Sequence, residues 1–562
     1  MAKLQLTAEL YANMVRGGYE NLRTNAGIVN DLNVFPVPDG DTGENMCMTI
    51  RGGVTALNSF DGDIEKSYLF TIAGVAAKGM LLSARGNSGV ILSKFFEGIA
   101  HGFDKKKATD ARGFADALME GVRQAYSAVV KPIEGTILTV CREATVRASA
   151  RLDKDTSLEE FWIVFAKELK ASLERTPEKL PVLKEAGVVD SGGAGLLYIA
   201  DGMMKAIRGE KYSILSEANA SNAKTPDISF DSFTENDVME YGYCTEFLLR
   251  LQKSKVNPEG FDETVIKDYL NTQGDSVVIF KTDSIVKAHV HTLHPGLVLE
   301  FCRKFGEFLT VKIENMSLQH NTGAVEKEAQ EKEQSQKIKL PPKRFGIVAV
   351  ATGDGIKNAF RSLGADYIVE GGQSMNPSAE DFLNAFKNVN ARTIIVFPNN
   401  GNVILAAQQA AELYKDAEVK VLECKTIGHG YAALGMIDLS SDDTDTVMDG
   451  LREAMSDVST GMVSKAVRDA NMNGIEVHTN DYIGIEGHNI LSAETDKVTA
   501  AVKMSKSLNA DERDIIIVIR GKDATKEEAE LLEEKLEELC EDTEVILMDG
   551  GQDIYDFVII YE

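Results

Sequence analysis

Positive charge is scarce in this chain. Its 562 residues carry 60 Lys and Arg against 87 Asp and Glu, a formal net charge of −27 with a sequence pI near 4.8. Nonspecific nucleic-acid binding needs a cationic excess to neutralise phosphates, so that class is set aside. Long apolar runs are missing too. No stretch approaches the ~18 uninterrupted apolar residues of a membrane-spanning helix. Met1 to Leu10 holds one Lys and no apolar core, so it does not read as a secretory signal. Cysteine is thin: six residues, at 47, 141, 244, 302, 424 and 540. Scattered in this way they suit a reducing cytosol better than a disulfide scaffold, and a cytoplasmic protein is expected. The common nucleotide motifs are absent. There is no GxxxxGK[ST] run, and Gly353-Asp-Gly-Ile-Lys-Asn358 ends in Asn where a dinucleotide fingerprint has Gly or Ala, so it reads as a strand-to-helix turn.

What is present is ordinary for globular domains with sizeable cores: 44% hydrophobic and 26% charged residues. At roughly 150 residues per domain, the length predicts three or four domains. Residues 1–208 read as almost all helix. Leu6, Leu10 and Met14 recur at helical spacing, and residues 64–82, 112–130, 136–152, 157–174 and 195–207 follow the same period. A bundle of about eight helices is predicted. Residues 209–236 are small and polar, a linker. Residues 237–321 form a small α+β unit, with strands expected at 241–251, 276–280 and 285–291 and helices at 261–271 and 296–305. Residues 322–344 are charged, rich in Gln and closed by Pro341-Pro342, a second linker. Residues 345–562 alternate strand-like and helical runs, which predicts an α/β domain with a mainly parallel sheet covered on both faces.

The most informative stretch is Asn30 to Asn45, NDLNVFPVPDGDTGEN. Pro36 and Pro38 bar helix and restrict the residues before them. Asp39 and Asp41 follow on a tight Gly-containing turn, with Asn33 upstream. Hard oxygen ligands on a stiff loop suit Mg²⁺, which completes its shell with water and substrate phosphates. The plainer reading is an Asp-Gly turn capping the next helix. Three further stretches, Ala84-Arg-Gly-Asn-Ser-Gly89, Lys131-Pro-Ile-Glu-Gly-Thr-Ile-Leu138 and Asp190-Ser-Gly-Gly-Ala-Gly195, each put small residues and hydroxyls at a helix start. Free N–H groups and the helix dipole favour anions there. Each alone reads as capping; four together read as a phosphate cradle.

NDLNVFPVPDGDTGENM, ARGNSGVIL, KPIEGTIL and LKEAGVVDSGGAGLLY resemble the ATP-binding domain of the dihydroxyacetone kinase L-subunit family. In wording and order they look like the catalytic subunit of bacterial fatty acid kinases. The resemblance implies an all-α eight-helix barrel with ATP at one end. It implies that Asn33, Asp39 and Asp41 hold two Mg²⁺ ions against the phosphates, Asn33 standing where other branches have Asp. It also implies that Thr42, Asn45, Asn87, Ser88, Thr136, Asp190 and Gly192 lie near the nucleotide. A homodimer is expected on the same ground.

In Ile285-Val-Lys-Ala-His-Val-His291 the alternation of a strand turns His289 and His291 to one face. Cys244 and Glu246 share a face likewise. Two His and one Cys brought together by strand pairing would make a Zn²⁺ site, its fourth position open to water, substrate or Glu246. His294 is a spare candidate before Pro295. A polar sheet face without metal is the alternative reading. The resemblance favours zinc, since the middle domain looks like a Cys-His site important for activity. Cys244, His289 and His291 are therefore counted with Asp39 and Asp41 as catalytic candidates. Lys312 and Glu314 are assigned no chemistry.

A carboxylate acceptor would be ionised at neutral pH and need no general base. That agrees with the lack of an obvious base in the N-terminal loops. A long acyl chain gains roughly 0.8 kcal/mol per buried CH₂, so it would arrive inside a carrier. The resemblance implies a separate fatty-acid-binding partner and an acyl phosphate product for phospholipid synthesis. The last domain looks like a DegV-like relative of that carrier. Gly371 to Ser378 and Pro398 to Asn402 stand where the carrier would grip a carboxylate, and their departures from Ser/Thr favour a docking or dimerisation role. The alternatives are a kinase of a small carbonyl such as dihydroxyacetone, for which no second substrate-holding domain is seen, and a nucleotide-sensing scaffold without activity.

Overall fold

The computed structural model describes residues 5–33, 40–210, 243–257, 260–282, 284–315, 341–372, 375–441, 443–472 and 474–562. The chain divides into two compact units, Met1–Ser213 with Pro342–Glu562, and Ile214–Pro341. The two segments read as linkers, 209–236 and 322–344, lie almost wholly outside the described residues.

The N-terminal part is helical, as its periodicity requires. Its elements are α1 (Ala8–Asp31), α2 (Thr42–Asn58), α3 (Leu69–Leu82), α4 (Gly86–Gly102), α5 (Ala111–Ser127), α6 (Ile137–Ala150), α7 (Leu158–Glu174), the short α8 (Thr176–Lys179) and α9 (Pro181–Ala186), and α10 (Ser191–Ile207). The eight long helices pack each on the next, and α10 closes the ring against α1. The result is the eight-helix barrel. Strands β1 (Leu6–Thr7) and β2 (Ala108–Thr109) pair ahead of α1 and α5. Local sequence starts those helices. Thr7 accepts from Leu10 N–H, Asp110 accepts from Gly113 N–H, and Ser157 with Glu160 forms a capping box for α7.

The barrel interior is aromatic at its centre. Phe114 stacks on Trp162 with centroids 5.1 Å apart, and Trp162 meets Phe165 at 5.0 Å. The indole N–H donates to Ala200 O at 2.9 Å, which ties α7 to α10. One helix start differs from expectation. Periodicity begins the last helix at 195, after the glycines, yet α10 begins at Ser191. Close packing explains it: a Cβ on Gly195 would lie 2.6 Å from Met46 Sδ of α2.

The second unit is a four-stranded antiparallel sheet with two helices. Its elements are β3 (Tyr243–Leu251), α11 (Thr264–Gln273), β4 (Gly274–Thr282), β5 (Ile285–Thr292), α12 (Pro295–Cys302) and β6 (Gly306–Asn315), in sheet order β4-β5-β3-β6. Phe247, Leu249 and Leu251 of β3 and Val286, Ala288 and Val290 of β5 form the core with Ile266, Leu270 and Val298 of the helices. This is the α+β unit expected, with β6 as an added strand.

The C-terminal part is α/β, built on two sheets rather than the single, mainly parallel sheet expected. The first is parallel, in order β10-β9-β7-β8, from β7 (Lys343–Ala351), β8 (Tyr367–Glu370), β9 (Ala391–Phe397) and β10 (Glu418–Val421). Gly353 to Asn358 is the strand-to-helix turn after β7. The strands that follow are β11 (Ser459–Lys465), the small hairpin β12 (Ala470–Met472) and β13 (Ile475–Val477), β14 (Tyr482–Glu486), β15 (Asn489–Glu494), β16 (Ile515–Arg520), β17 (Glu544–Asp549) and β18 (Tyr555–Tyr561). Six of them make the second sheet, β15-β14-β11-β18-β16-β17, in which only β16 and β17 run parallel. A tight Gly487-His488 turn between β14 and β15 makes a hairpin, which cannot join parallel strands. Apolar side chains of both sheets fill the layer between them. A second apolar layer, on the far side of the first sheet, includes Phe382, Phe386 and Ala406 together with Ala84 and Val90 of the barrel. Barrel and C-terminal part thus share a core.

Trp162 is the chain's single tryptophan and is 2% exposed, so its emission reports the barrel alone. Phe114→Ala should cost about 3–5 kcal/mol. In a urea titration followed by that emission, the red shift should come at lower denaturant than in the parent protein.

Candidate functional site

Alternation along the ring puts the starts of α2, α4, α6 and α10 at one end of the barrel, and these are the four helices opened by the glycine-rich loops. Contacts between them agree. Ser191 Oγ lies 3.3 Å from Thr42 Oγ1, joining α10 to α2. A Cβ on Gly192 would sit 3.2 Å from Ile137 Cβ, joining α10 to α6. Gly86, with φ +58, opens α4 against α2: a Cβ there would fall 2.7 Å from Asn45 Nδ2.

Capping differs among the helix starts. At the other end Thr7, Asp110 and Ser157 cap α1, α5 and α7, and Tyr68 before α3 makes no side-chain cap. Here the residues before α2, α4 and α6 (Asp41, Arg85 and Thr136) make no side-chain cap. Thr136 turns its hydroxyl back to Ile133 O. Asn30 accepts from Gly43 N–H at 2.7 Å, and Asp190 caps α10 through Gly193 N–H at 2.7 Å. Plain capping therefore accounts for the Asp190 loop and not for the others. The remaining first-turn amides, with the positive ends of four dipoles, make an end suited to anions. Glu134 is structural: Arg142 holds it with two bonds of 2.8 and 2.7 Å, and Thr139 donates to it.

Asn87, Ser88, Thr136, Asp190 and Gly192 line one open cleft of about 420 Å³. Ser191, not singled out in sequence, lines it too and connects it to Thr42. Lys131 adds a positive charge, and Ile133, Ile137 and Leu138 add apolar wall. Asn45 is buried behind Gly86. Asn33 packs against the acidic turn, 3.4 Å from the point where a Gly40 Cβ would stand. Asp41 follows directly, and Asp39 lies outside the described residues.

The far wall of the cleft comes from the C-terminal part: Gly401, Ile404, Leu405, Gln408 and Glu423. Asn87 Nδ2 donates to Asn402 Oδ1 at 3.2 Å. Arg85 forms a β-bridge with Ser378, donates to Asn376 O at 2.6 Å and pairs with Asp381 at 3.4 Å. Asn376 Nδ2 donates to Asp41 Oδ2 at 2.6 Å. The two loops expected to stand in a carboxylate-gripping position thus turn Asn376, Ser378 and Asn402 to the barrel. Their other residues, Gly371, Gly372, Asn399 and Asn400, line a separate cavity of only about 70 Å³. Sequence reasoning found these loops but not their partners, because nothing local in Met375-Asn376-Pro377 names an aspartate 335 residues away.

Three family models match: the DAK2 domain over residues 36–205, the FakA-like middle domain of fatty acid kinase over 240–323, and the FakA-like C-terminal domain of fatty acid kinase over 346–562. Protein YloV of Bacillus subtilis (strain 168) is 38% identical over 563 residues, 99% of each chain. The chain belongs to the FakA-like family of fatty acid kinases. An uncharacterized protein of Staphylococcus aureus (strain MRSA252), SAR1202, is 36% identical over 99% of this chain and 100% of its own. A solved fatty-acid-binding DegV family protein from Thermus thermophilus aligns with 39% of this chain and 99% of its own, at 14% identity and a TM-score of 0.30. The chain is thus a kinase-family protein, with the barrel as its DAK2 domain.

In the middle domain, the register pairs Cys244 with His291 and Glu246 with His289 across β3 and β5. On the other flank it pairs Cys244 with Glu314 and Glu246 with Lys312. The core uses the alternate positions 245, 247, 249 and 286, 288, 290. The side chains of Cys244, His289 and His291 are outside the described residues, and His294 precedes α12. Among the described residues, no three His, Cys, Asp or Glu side chains gather as a metal site. Among them, no helix is long and apolar enough to cross a membrane. Among the described residues, no disulfide joins Cys47, Cys141, Cys302, Cys424 or Cys540.

Burial pushes the Asp190 carboxyl up to about 6, against the downward pull of the Gly193 and Ile137 amides. An acid raised in this way binds more protons folded than unfolded between its two pKa values. Its contribution to stability is therefore largest at low pH and is lost as pH rises from about 4 to 6. Asp190→Asn keeps an oxygen for Gly193 and removes the titration. In the absence of nucleotide it should be more stable than the parent at pH 7 by on the order of 1–2 kcal/mol. That gain should shrink as pH falls towards 4, read by urea denaturation across the range.

Proposed function

We propose that the chain is the catalytic subunit of an ATP-dependent fatty acid kinase. It would phosphorylate the carboxylate of a fatty acid presented by a separate fatty-acid-binding, DegV-like carrier protein, giving an acyl phosphate for phospholipid synthesis. The observation that carries the reading is the gathering of four glycine-rich helix starts, three without their own side-chain cap, around one cleft. Lys131 adds positive charge to the same cleft.

In this reading Thr42, Asn45, Asn87, Ser88, Thr136, Asp190 and Gly192 surround ATP. First-turn amides of α2, α4 and α6 donate to phosphate oxygens. Asn87, Ser88 and Thr136 orient the nucleotide, and Ile133 and Leu138 offer apolar surface to the base. The residue types of the acidic turn fit Mg²⁺: Asn33 and Asp41 carry hard oxygens, and the buried Asn376 Oδ1 has no donor partner among the described residues. Asn33, Asp39 and Asp41 would hold two Mg²⁺ ions, which neutralise charge on the transferring phosphoryl group. A fatty acid oxygen bonds to the γ-phosphorus as the bond from that phosphorus to the β–γ bridging oxygen breaks, and ADP leaves. The attacking oxygen carries no proton at neutral pH, so no side chain need act as base.

Cys244, His289 and His291 are proposed as Zn²⁺ ligands of the middle domain, on the register that pairs 244 with 291 and 246 with 289. Thiolate and imidazole donors suit that ion. We take the protein to work as a cytoplasmic homodimer.

Two measurements test this. With ATP and carrier-loaded fatty acid, mass spectrometry should detect acyl phosphate, and no phosphorylated dihydroxyacetone should form when that compound replaces the loaded carrier. Asp39→Ala and Asp41→Ala should each lower transfer by on the order of 10²–10³-fold while carrier binding survives; full transfer by both variants would refute the metal assignment. Metal analysis should find zinc in the parent protein and lose it in Cys244→Ser. Equal zinc in the two would remove Cys244 from the ligand set.

A further inference from the structure

The reading of Asp41 as a metal ligand leaves the role of its partner open. Asn376 belongs to the C-terminal part, on the loop before helix Ala379–Asn388, and is 2% exposed. Its Nδ2 donates to Asp41 Oδ2 at 2.6 Å. Its Oδ1 is buried with no partner among the described residues. A carboxylate oxygen can only accept, so the amide nitrogen is the group that faces it. Asn376 is itself fixed. Arg85 grips its carbonyl at 2.6 Å and reaches Asp381 at 3.4 Å, and Ser378 and Asp381 form a capping box that pins the loop to its helix.

We propose that Asn376 is a positioning residue of the kinase's metal site, supplied by the C-terminal part. The inference rests on Asp41 binding metal. A hydrogen bond to Oδ2 fixes the plane of the carboxylate. Hydrogen bonds of this kind orient ligating carboxylates and raise metal affinity. The unpartnered Oδ1 of Asn376 supplies an acceptor beside the acidic turn. Mg²⁺ keeps several of its waters, and each water needs an acceptor for its hydrogens. Asn376 thereby serves the site from both ends of its amide, and metal affinity depends on the C-terminal part being seated on the barrel.

The test uses the full chain and Mn²⁺ as probe, titrated by electron paramagnetic resonance with a non-hydrolysable ATP analogue present. Asn376→Leu, nearly isosteric, should weaken Mn²⁺ binding 10–100-fold. Arg85→Met, which removes the grip on the Asn376 carbonyl, should weaken it in the same direction and stands in if Asn376→Leu does not fold. Gln409→Leu is the control for docking alone. Gln409 Nε2 donates to Leu81 O at 2.6 Å in the same interface and makes no bond to the acidic turn. Its Mn²⁺ affinity should stay within about threefold of the parent. The proposal is overturned if Asn376→Leu and Arg85→Met bind Mn²⁺ as tightly as the parent, or if Gln409→Leu weakens binding as much as Asn376→Leu does. If Asp41→Asn also leaves Mn²⁺ binding unchanged, the fault lies in the reading of Asp41 itself.

Discussion

Everything at the candidate site depends on the alternating direction of eight packed helices. In a closed ring of even number, every second helix starts at the same end. The loops before α2, α4, α6 and α10 are separated by tens of residues in sequence, yet the ring brings them to one mouth. The helix starts thereby share one end with Lys131, which lines the same cleft. The glycines serve this arrangement by their size. Gly86 leaves room for the Asn45 amide, and Gly195 lets α10 press against Met46. The aromatic stack around Trp162 holds the ring from within, far from the loops it positions.

The C-terminal part is joined to that mouth by specific polar contacts as well as a shared core. Arg85 lies next to α4 and reaches the loop that carries Asn376, while Asn87 reaches Asn402. The motif before α4 therefore has two sides, one on the cleft and one on the C-terminal loops. That geometry gives the last domain contacts to the barrel that do not involve its partly open cavity of about 70 Å³. The middle domain is a separate unit. Its backbone register pairs 244 with 291 and 246 with 289, with β3 between β5 and β6.

The helical part was legible because its signals are local. Apolar residues recur every turn, and Asn87, Ser88, Thr136, Asp190 and Gly192 sit in loops whose composition marks a helix start. Their meeting in one cleft followed from motifs read one at a time. The start of α10 differs from the periodicity, since glycines at 192, 193 and 195 weaken a helix by propensity while close contacts with α6, α7 and α2 demand them. The antiparallel sheet was missed where strands are short and interrupted. Gly484 in β14 has no side chain because Met504 of helix Lys497–Ser507 lies on it, and no periodicity records that. The Asn376 to Asp41 bond was illegible for a different reason: two polar residues far apart in sequence carry no mark of their pairing.

The middle unit interrupts a body whose two halves lie before and after it in the chain. On the ribosome, the barrel with all its glycine-rich loops emerges first, and Asn376 follows only after the whole middle domain has been translated. A chain that stalls or is cut between them holds the glycine-rich helix starts without the far wall of their cleft and without the Asn376 bond to Asp41. Such a fragment could still meet ATP, but on this geometry it would hold the divalent cation loosely. Order of synthesis would then delay a competent kinase until its last domain is in place.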